Sequence, residues 1–329
     1  MEETRILREA ELDGTGEFIF SVSWSTVLAA AAGLKPTTRT GIYFAASRIL
    51  SLLRSGEMEG IAHTSEGAID GLILWQELPW DTEVTKARCA RIVMAAGRGL
   101  PAMFEMWNGE AARRGVDYTT MRIPEGHSVS LGKGDLLASA GFEKLERIIY
   151  LAAFTGIDPK AQIRQDAPVK LRKAVKEDIE EIGAMAARSY SYDRFHKDSF
   201  FSREAADAVH VKWIRDSFAG RADAILVATG EGGAIEGYCT CMLPKGPESF
   251  SGWIDMLAVD SGRRHLGIGE ALMRGALAYI HDAGVLSAAL CTQDDNKPGL
   301  SLYQKTGFDQ YLTAITWRKE HNPDGRNSR

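Results

Sequence analysis

The sequence repeats itself. Gly67-Ala68-Ile69-Asp70-Gly71 returns as Gly233-Ala234-Ile235-Glu236-Gly237, and Gly141-Phe142 returns as Gly307-Phe308, both 166 positions later. Near the two starts, Ile6-Leu7-Arg8-Glu9-Ala10 resembles Lys170-Leu171-Arg172-Lys173-Ala174 at a spacing of 164. Three matches in one order and nearly one register constrain the fold more than any single motif, because chance rarely produces them together. A chain of 329 residues is also long for one core. The expected plan is therefore two copies of one architecture: a first domain over 1–157, a linker over 158–168, a second domain over 169–318 and a polar tail over 319–329. Gly156, Pro159 and Pro168 punctuate the junction.

Composition narrows the function classes. With 45% hydrophobic and 25% charged residues the chain is globular in character, and a net charge of -5 gives no basic surplus for nucleic acid. Four cysteines (Cys89, Cys239, Cys241, Cys291) are too few for a disulfide framework and lack zinc spacing, so no metal site is expected. Phe18 to Leu34 carries no charge, but Ser21, Ser23, Ser25 and Thr26 interrupt it and acidic residues precede it. It reads as a buried helix of the first domain, neither a membrane span nor a signal peptide. The expected location is cytoplasmic.

The second half alternates strands and helices. Strands are expected at 169–174, 224–229, 237–243, 252–259, 286–291 and 312–317, with helices after Asp178, over 268–283 and over 299–306. The class is α/β (α+β), a mixed, mostly antiparallel sheet flanked by helices. Between the strand ending at Val259 and the helix from Ile268 lies Arg263-Arg264-His265-Leu266-Gly267-Ile268-Gly269-Glu270. Two glycines at a helix start let backbone approach a ligand, and the orphan N–H groups there attract anions. Arg263 and Arg264 add fixed positive charge, so the stretch has the chemistry of a pyrophosphate cradle.

The pattern R-x-x-G-x-G after a strand, followed by Asn296-Lys297-Pro298-Gly299-Leu300-Ser301-Leu302-Tyr303-Gln304-Lys305-Thr306-Gly307-Phe308, resembles the GNAT superfamily of N-acetyltransferases, with Gly299 where alanine is usual. With the repeat, the resemblance implies tandem GNAT folds. It implies acetyl-CoA as the acyl donor, with Leu257, Ala258 and Val259 holding the pantetheine arm. Arg264, His265, Leu266, Gly267, Ile268, Gly269 and Glu270 would hold the pyrophosphate, and Asn296 would bond the cofactor. Tyr303 is the expected general acid for the departing thiolate, since a phenol of pKa ~10 is protonated at neutral pH. Asp255, on the strand beside the thioester, is the first candidate for a general base, with His196 and His210 as weaker ones.

Transferring the 166-residue spacing to the first half maps Arg264 onto Arg98, Gly267 onto Pro101, Gly269 onto Met103 and Tyr303 onto Leu137. The first copy loses both glycines and the phenol, which implies a degenerate GNAT-like domain. For the acceptor, Ala187 to His196 with Trp213-Ile214 resembles enzymes of the TDP-fucosamine acetyltransferase kind, which implies a nucleotide-linked amino sugar as substrate and a homodimer. On that reading Arg194, Phe195 and His196 lie at the acceptor pocket, where arginine suits phosphate and an aromatic face suits a sugar or base. The alternatives are another small amine, as in the mycothiol-synthase-like tandem GNATs, a protein amine, or a non-catalytic acyl-CoA-binding module. An intact Tyr303 speaks against the last, since a binder needs no proton donor.

Overall fold

The computed structural model describes residues 2–7, 11–21, 49–125, 135–155, 169–245 and 251–321. The expected linker, most of the apolar run 18–34 and the tail beyond His321 lie outside the described residues. Two compact units are present: Met1–Glu146 with Ala314–Arg329, and Arg147–Thr313.

In the first unit the strands are β1 (Glu2–Ile6), β2 (Glu59–Ser65), β3 (Ala68–Glu77), β4 (Cys89–Gly97) and β5 (Tyr118–Pro124). They neighbour one another in sequence order, with β4 and β5 parallel and the others antiparallel. Its helices are α1 (Leu12–Ser21), α2 (Pro79–Thr85), α3 (Leu100–Arg114) and α4 (Asp135–Ser139). Period-two alternation divides β3 between two cores. Ile73 and Trp75 pack with Phe104 and Trp107 of α3, while Leu72 and Leu74 pack with Ile19 of α1. Ile19, within the apolar run, is fully buried on α1.

In the second unit the sheet runs β6 (Glu143–Phe154), β11 (Ser287–Gln293), β10 (Gly252–Val259), β9 (Ile235–Met242), β8 (Ala224–Thr229) and β7 (Lys170–Lys173). Five helices accompany it: α5 (Ile179–Ser189), α6 (Arg194–Lys197), α7 (Arg203–Asp216), α8 (Ile268–Asp282) and α9 (Lys297–Lys305). All six residues of β8 are buried because both faces are covered. Leu226 and Ala228 meet Leu272, Ala276 and Ile280 of α8, whereas Ile225 and Val227 meet Ile182, Met185 and Ile214 of α5 and α7. Every element expected in this half is present, with ends displaced by at most three residues.

Two features were not expected. The final strand β12 (Asp309–Glu320) pairs its residues 314–320 with β5 in the first unit's sheet, while 148–154 of β6 pair with β11 in the second's. Each sheet is thus completed by the last strand of the other sequence half, and Lys319 and Glu320 are strand rather than tail. Second, the copies slip by two residues at one junction. Helices α3 and α8 follow Gly99 and Gly267, both left-handed (φ 67° and 84°), so Gly267 corresponds to Gly99 and Gly269 to Pro101. The mapping of Gly267 onto Pro101 and Gly269 onto Met103 is corrected accordingly; Met103 is a fully buried core residue. The extra two residues are absorbed again before Gly141 and Gly307, which share φ near 85° (83° and 89°) ahead of the buried Phe142 and Phe308.

Candidate functional site

The site begins with a defect in the sheet. β9 follows β10, but the register shifts between Ile254 and Leu257, leaving Asp255 and Met256 opposite the single residue Thr240. This bulge would orphan the Met256 N–H; the buried Thr240 hydroxyl accepts it at 3.0 Å. On its other side, among the described residues, β10 pairs with the parallel strand β11 only at Gly252–Ala288 and Trp253–Ala289. Beyond Trp253 that edge carries no ladder, so Leu257, Ala258 and Val259 line a backbone edge open to an added extended segment.

The chain leaving this edge makes the cradle. Asp260 accepts from Gly262 N–H at 3.0 Å and pairs with Arg188 of α5 at 3.1 Å, which braces the turn. His265 and Gly267 then take left-handed backbone (φ 64° and 84°) and aim α8 with its first N–H groups outward. A Cβ on Gly267 would touch nothing within 4 Å, so conformation alone demands glycine there. A Cβ on Gly269 would come 3.0 Å from Leu302 of α9, so this glycine also sets helix packing. The two arginines differ: Arg263 is paired with Glu236 at 2.8 Å, while Arg264 is exposed, with Nε 3.4 Å from its own Val259 carbonyl. The Glu270 carboxylate is held below its usual range by Lys305 and Arg274 and ties α8 to α9.

Helix α9 supplies the phenol. Tyr303 packs edge-on to Phe308, with ring centroids 6.4 Å apart, and burial pushes its phenol well above its ordinary value, so it stays protonated. Asn296 serves as the helix cap instead of reaching outward. Its Oδ1 accepts from Gly299 N–H at 3.1 Å and its Nδ2 donates to Thr292 Oγ1 at 2.9 Å. A Cβ on Gly299 would lie 2.5 Å from Asn296 Nδ2, which gives a local reason for glycine where the family pattern has alanine.

Asp255 is engaged by Arg221, whose Nη1 lies 2.5 Å from Oδ2. Arg221 is presented by a π-helical turn, Ser217–Arg221, in which Gly220 takes φ 106°. Beside Asp255 lie Tyr190 and Tyr238, whose hydroxyls are 3.0 Å apart. Burial raises both phenols above their ordinary values; for Tyr190 the neighbouring Tyr238 adds most after burial, and the Asp255 charge pushes both phenols the same way. Sequence reasoning passed over this tyrosine pair, because Tyr190 ends a helix and Tyr238 reads as an ordinary strand residue.

The three residues expected at the acceptor pocket turn largely inward. Phe195 is buried against Phe201, and the Arg194 guanidinium lies 4.3 Å over the Phe195 ring. His196 is clasped between Asp193 (2.6 Å from Nδ1) and Asp207 (2.9 Å from Nε2). The structure therefore brings together Tyr303, Asp255, the β10 edge and the start of α8 within one unit, and sets Arg194, Phe195 and His196 in a cluster of their own between α6 and α7.

The equivalent helix start of the first unit is closed. A Cβ on Gly99 would fall 2.1 Å from the His63 ring, which occupies the space beside the helix start and bonds Asp70 through Nδ1 at 2.5 Å. Pro101 offers no N–H, and Leu137 stands where the second unit has Tyr303.

Residues 188–308 match the acetyltransferase (GNAT) family. That match lies wholly within the second unit. Among known relatives it resembles mycothiol acetyltransferase of Geodermatophilus obscurus, 31% identical over 23% of this chain and 24% of that one, so the chain spans about a quarter of that protein. It also resembles mycothiol acetyltransferase of Streptomyces avermitilis, 24% identical over 82% of this chain and 83% of the relative. A tandem GNAT protein from the clavulanic acid biosynthesis pathway superposes with a TM-score of 0.61 at 17% identity, covering 98% of this chain and 100% of its own. That likeness shows a tandem GNAT fold. No helix among the described residues is long and apolar enough to cross a membrane.

Proposed function

We propose that the chain transfers an acetyl group from acetyl-CoA to a primary amine of a small molecule, at a single site in the second unit. The observation that carries this reading is the loss of β10–β11 pairing beyond Trp253, directly ahead of a helix that starts on left-handed Gly267 with free N–H groups. An extended pantetheine arm would add to the open edge at Leu257–Val259, and the pyrophosphate would sit on the N–H groups at the start of α8 with Arg264 beside it. The amine nitrogen attacks the thioester carbon, the C–S bond breaks, and one proton passes in net from nitrogen to sulfur. Tyr303 donates to the developing thiolate; its raised pKa keeps the proton in place until charge appears on sulfur. The first unit, with His63 and Pro101 at its helix start, does not carry a second CoA site.

For the acceptor, a mycothiol-related amine comes first, on the strength of the names its relatives bear. The nucleotide-linked amino sugar drew on Arg194, Phe195 and His196, whose contacts within the fold leave less of them for a ligand. The test is CoA-thiol release with acetyl-CoA against a panel of both amine classes, with Tyr303→Phe in parallel. Turnover with one class and a loss of rate in the variant support the proposal; binding of acetyl-CoA without turnover of any amine would favour a non-catalytic acyl-CoA module.

A further inference from the structure

Between α6 and α7, Asp193, His196 and His210 each direct a ligating atom toward a common point, and these atoms lie within 4.8 Å of one another. We propose that these three residues bind one divalent transition-metal ion of the zinc class, which ties α6 to α7 behind Tyr190. The proposal does not depend on the acetyl-transfer reading.

The outer contacts decide which atoms face inward. His210 Nδ1 lies 3.0 Å from the Ala206 carbonyl, which can only accept, so Nδ1 carries the proton and Nε2 presents its lone pair. His196 Nε2 lies 2.9 Å from Asp207 Oδ1, again a hydrogen bond outward, which turns Nδ1 inward. Asp193 Oδ1 accepts the Phe195 and His196 N–H groups as the cap of α6, leaving Oδ2 free to face both rings. Oδ2 is 2.6 Å from His196 Nδ1 and 3.6 Å from His210 Nε2. Two imidazole nitrogens and a carboxylate oxygen thus converge, and one shared proton can satisfy only one of the two N···O pairs.

A metal would satisfy all three. Metal bonds of ~2.0–2.1 Å in a tetrahedron place ligand atoms about 3.3 Å apart, between the two spacings seen. Each histidine has its distal nitrogen on a carboxylate or a carbonyl, the arrangement that orients ligating imidazoles. Two nitrogens and one oxygen suit zinc-class ions, and a fourth position is left for water. The ligands are shielded, with side-chain exposures of 4% for His196, 2% for His210 and 16% for Asp193. The other groups facing the cluster are Arg203, 3.4 Å from Asp207, the Tyr190 ring stacked on His210 at 4.3 Å, and Trp213.

The experiment titrates chelator-treated full-length protein with Co2+ and reads visible d–d absorption, then displaces the ion with Zn2+ and counts bound metal by mass spectrometry. The expected result is one ion per chain with tetrahedral d–d bands and no intense thiolate-to-metal charge-transfer band, which sets aside Cys239 and Cys241. In His196→Asn and in His210→Gln the affinity falls at least tenfold, while Asp207→Asn retains the ion at roughly 10–100-fold lower affinity. Circular dichroism verifies that each variant is folded. No stoichiometric uptake by the wild type overturns the proposal without recourse to any variant and leaves a proton as the bridging cation; a thiolate band, or undiminished uptake in folded His196→Asn and His210→Gln, overturns it equally.

Discussion

Replacing Thr240 by valine probes the feature on which the donor site depends. The Thr240 side chain is fully buried and its hydroxyl accepts the Met256 N–H at 3.0 Å inside the bulge. Valine keeps the shape and the β-branching but leaves that N–H without a partner, at a cost of about 1–3 kcal/mol. At 1.4 kcal/mol per tenfold, exchange of the Met256 amide by local opening should accelerate between about 5- and 150-fold. Hydrogen exchange followed by NMR reads this at one amide, which matters because two compact units need not melt as one transition. The control is Thr229→Val, whose hydroxyl donates to the Lys170 carbonyl at 3.3 Å across the unshifted β7–β8 pairing. If Thr240→Val opens the Met256 amide no more than Thr229→Val does, the hydroxyl does not hold the bulge. If the bulge relaxes, acetyl-CoA binding should weaken as well, because the open edge begins at the bulge.

Further outcomes follow from other contacts. Tyr303→Phe should lower kcat by about 10²–10⁴-fold with acetyl-CoA affinity nearly unchanged, checked by steady-state rates beside calorimetry. Arg221→Met leaves Asp255 without its cation and should lower stability by roughly 1–2 kcal/mol, less than for a fully buried pair because Arg221 is 31% exposed; adding Asp255→Asn should restore part of the loss in urea denaturation. On the acid side, Glu110 is held down to about 2 by Arg113 and Arg114, and burial lowers His321 to about 4. Both folded values lie below the unfolded ones, so stability is fully present above pH 6.5 and declines as pH falls, first through His321 and then, below pH 4.5, through Glu110. Glu110→Gln should flatten the lower part of that decline in melts recorded from pH 7 to 3.

Much of this was legible in the sequence because it is local. The glycines at 267 and 269, the amphipathic face of α8 and the Gly-Phe pairs are short-range patterns, and they led to the fold and to Tyr303. What escaped is long-range or lies in side-chain choice. The exchange of β6 and β12 leaves no mark, since both strands alternate as any half-buried strand does. The bulge hides because Thr240 substitutes a hydroxyl for a ladder partner without disturbing the pattern of β9 or β10. The two-residue slip between the copies falls in a junction with no apolar period to reveal it; Pro101 and Gly99 are properly placed only once both helix starts are seen. The sequence placed His196 at the acceptor pocket by resemblance, and only the fold brings Asp193, Asp207 and His210 around it.

The most direct test of a single donor site is titration calorimetry of acetyl-CoA against the wild type and Gly269→Pro. This substitution copies Pro101 at the equivalent position of α3 and removes one N–H from the start of α8, with Leu302 as the neighbour that must adjust. The expected result is one site per chain in the wild type and a large loss of affinity in a variant that remains folded by circular dichroism. Two sites in the wild type, or undiminished affinity in the folded variant, would contradict a lone cradle at the start of α8.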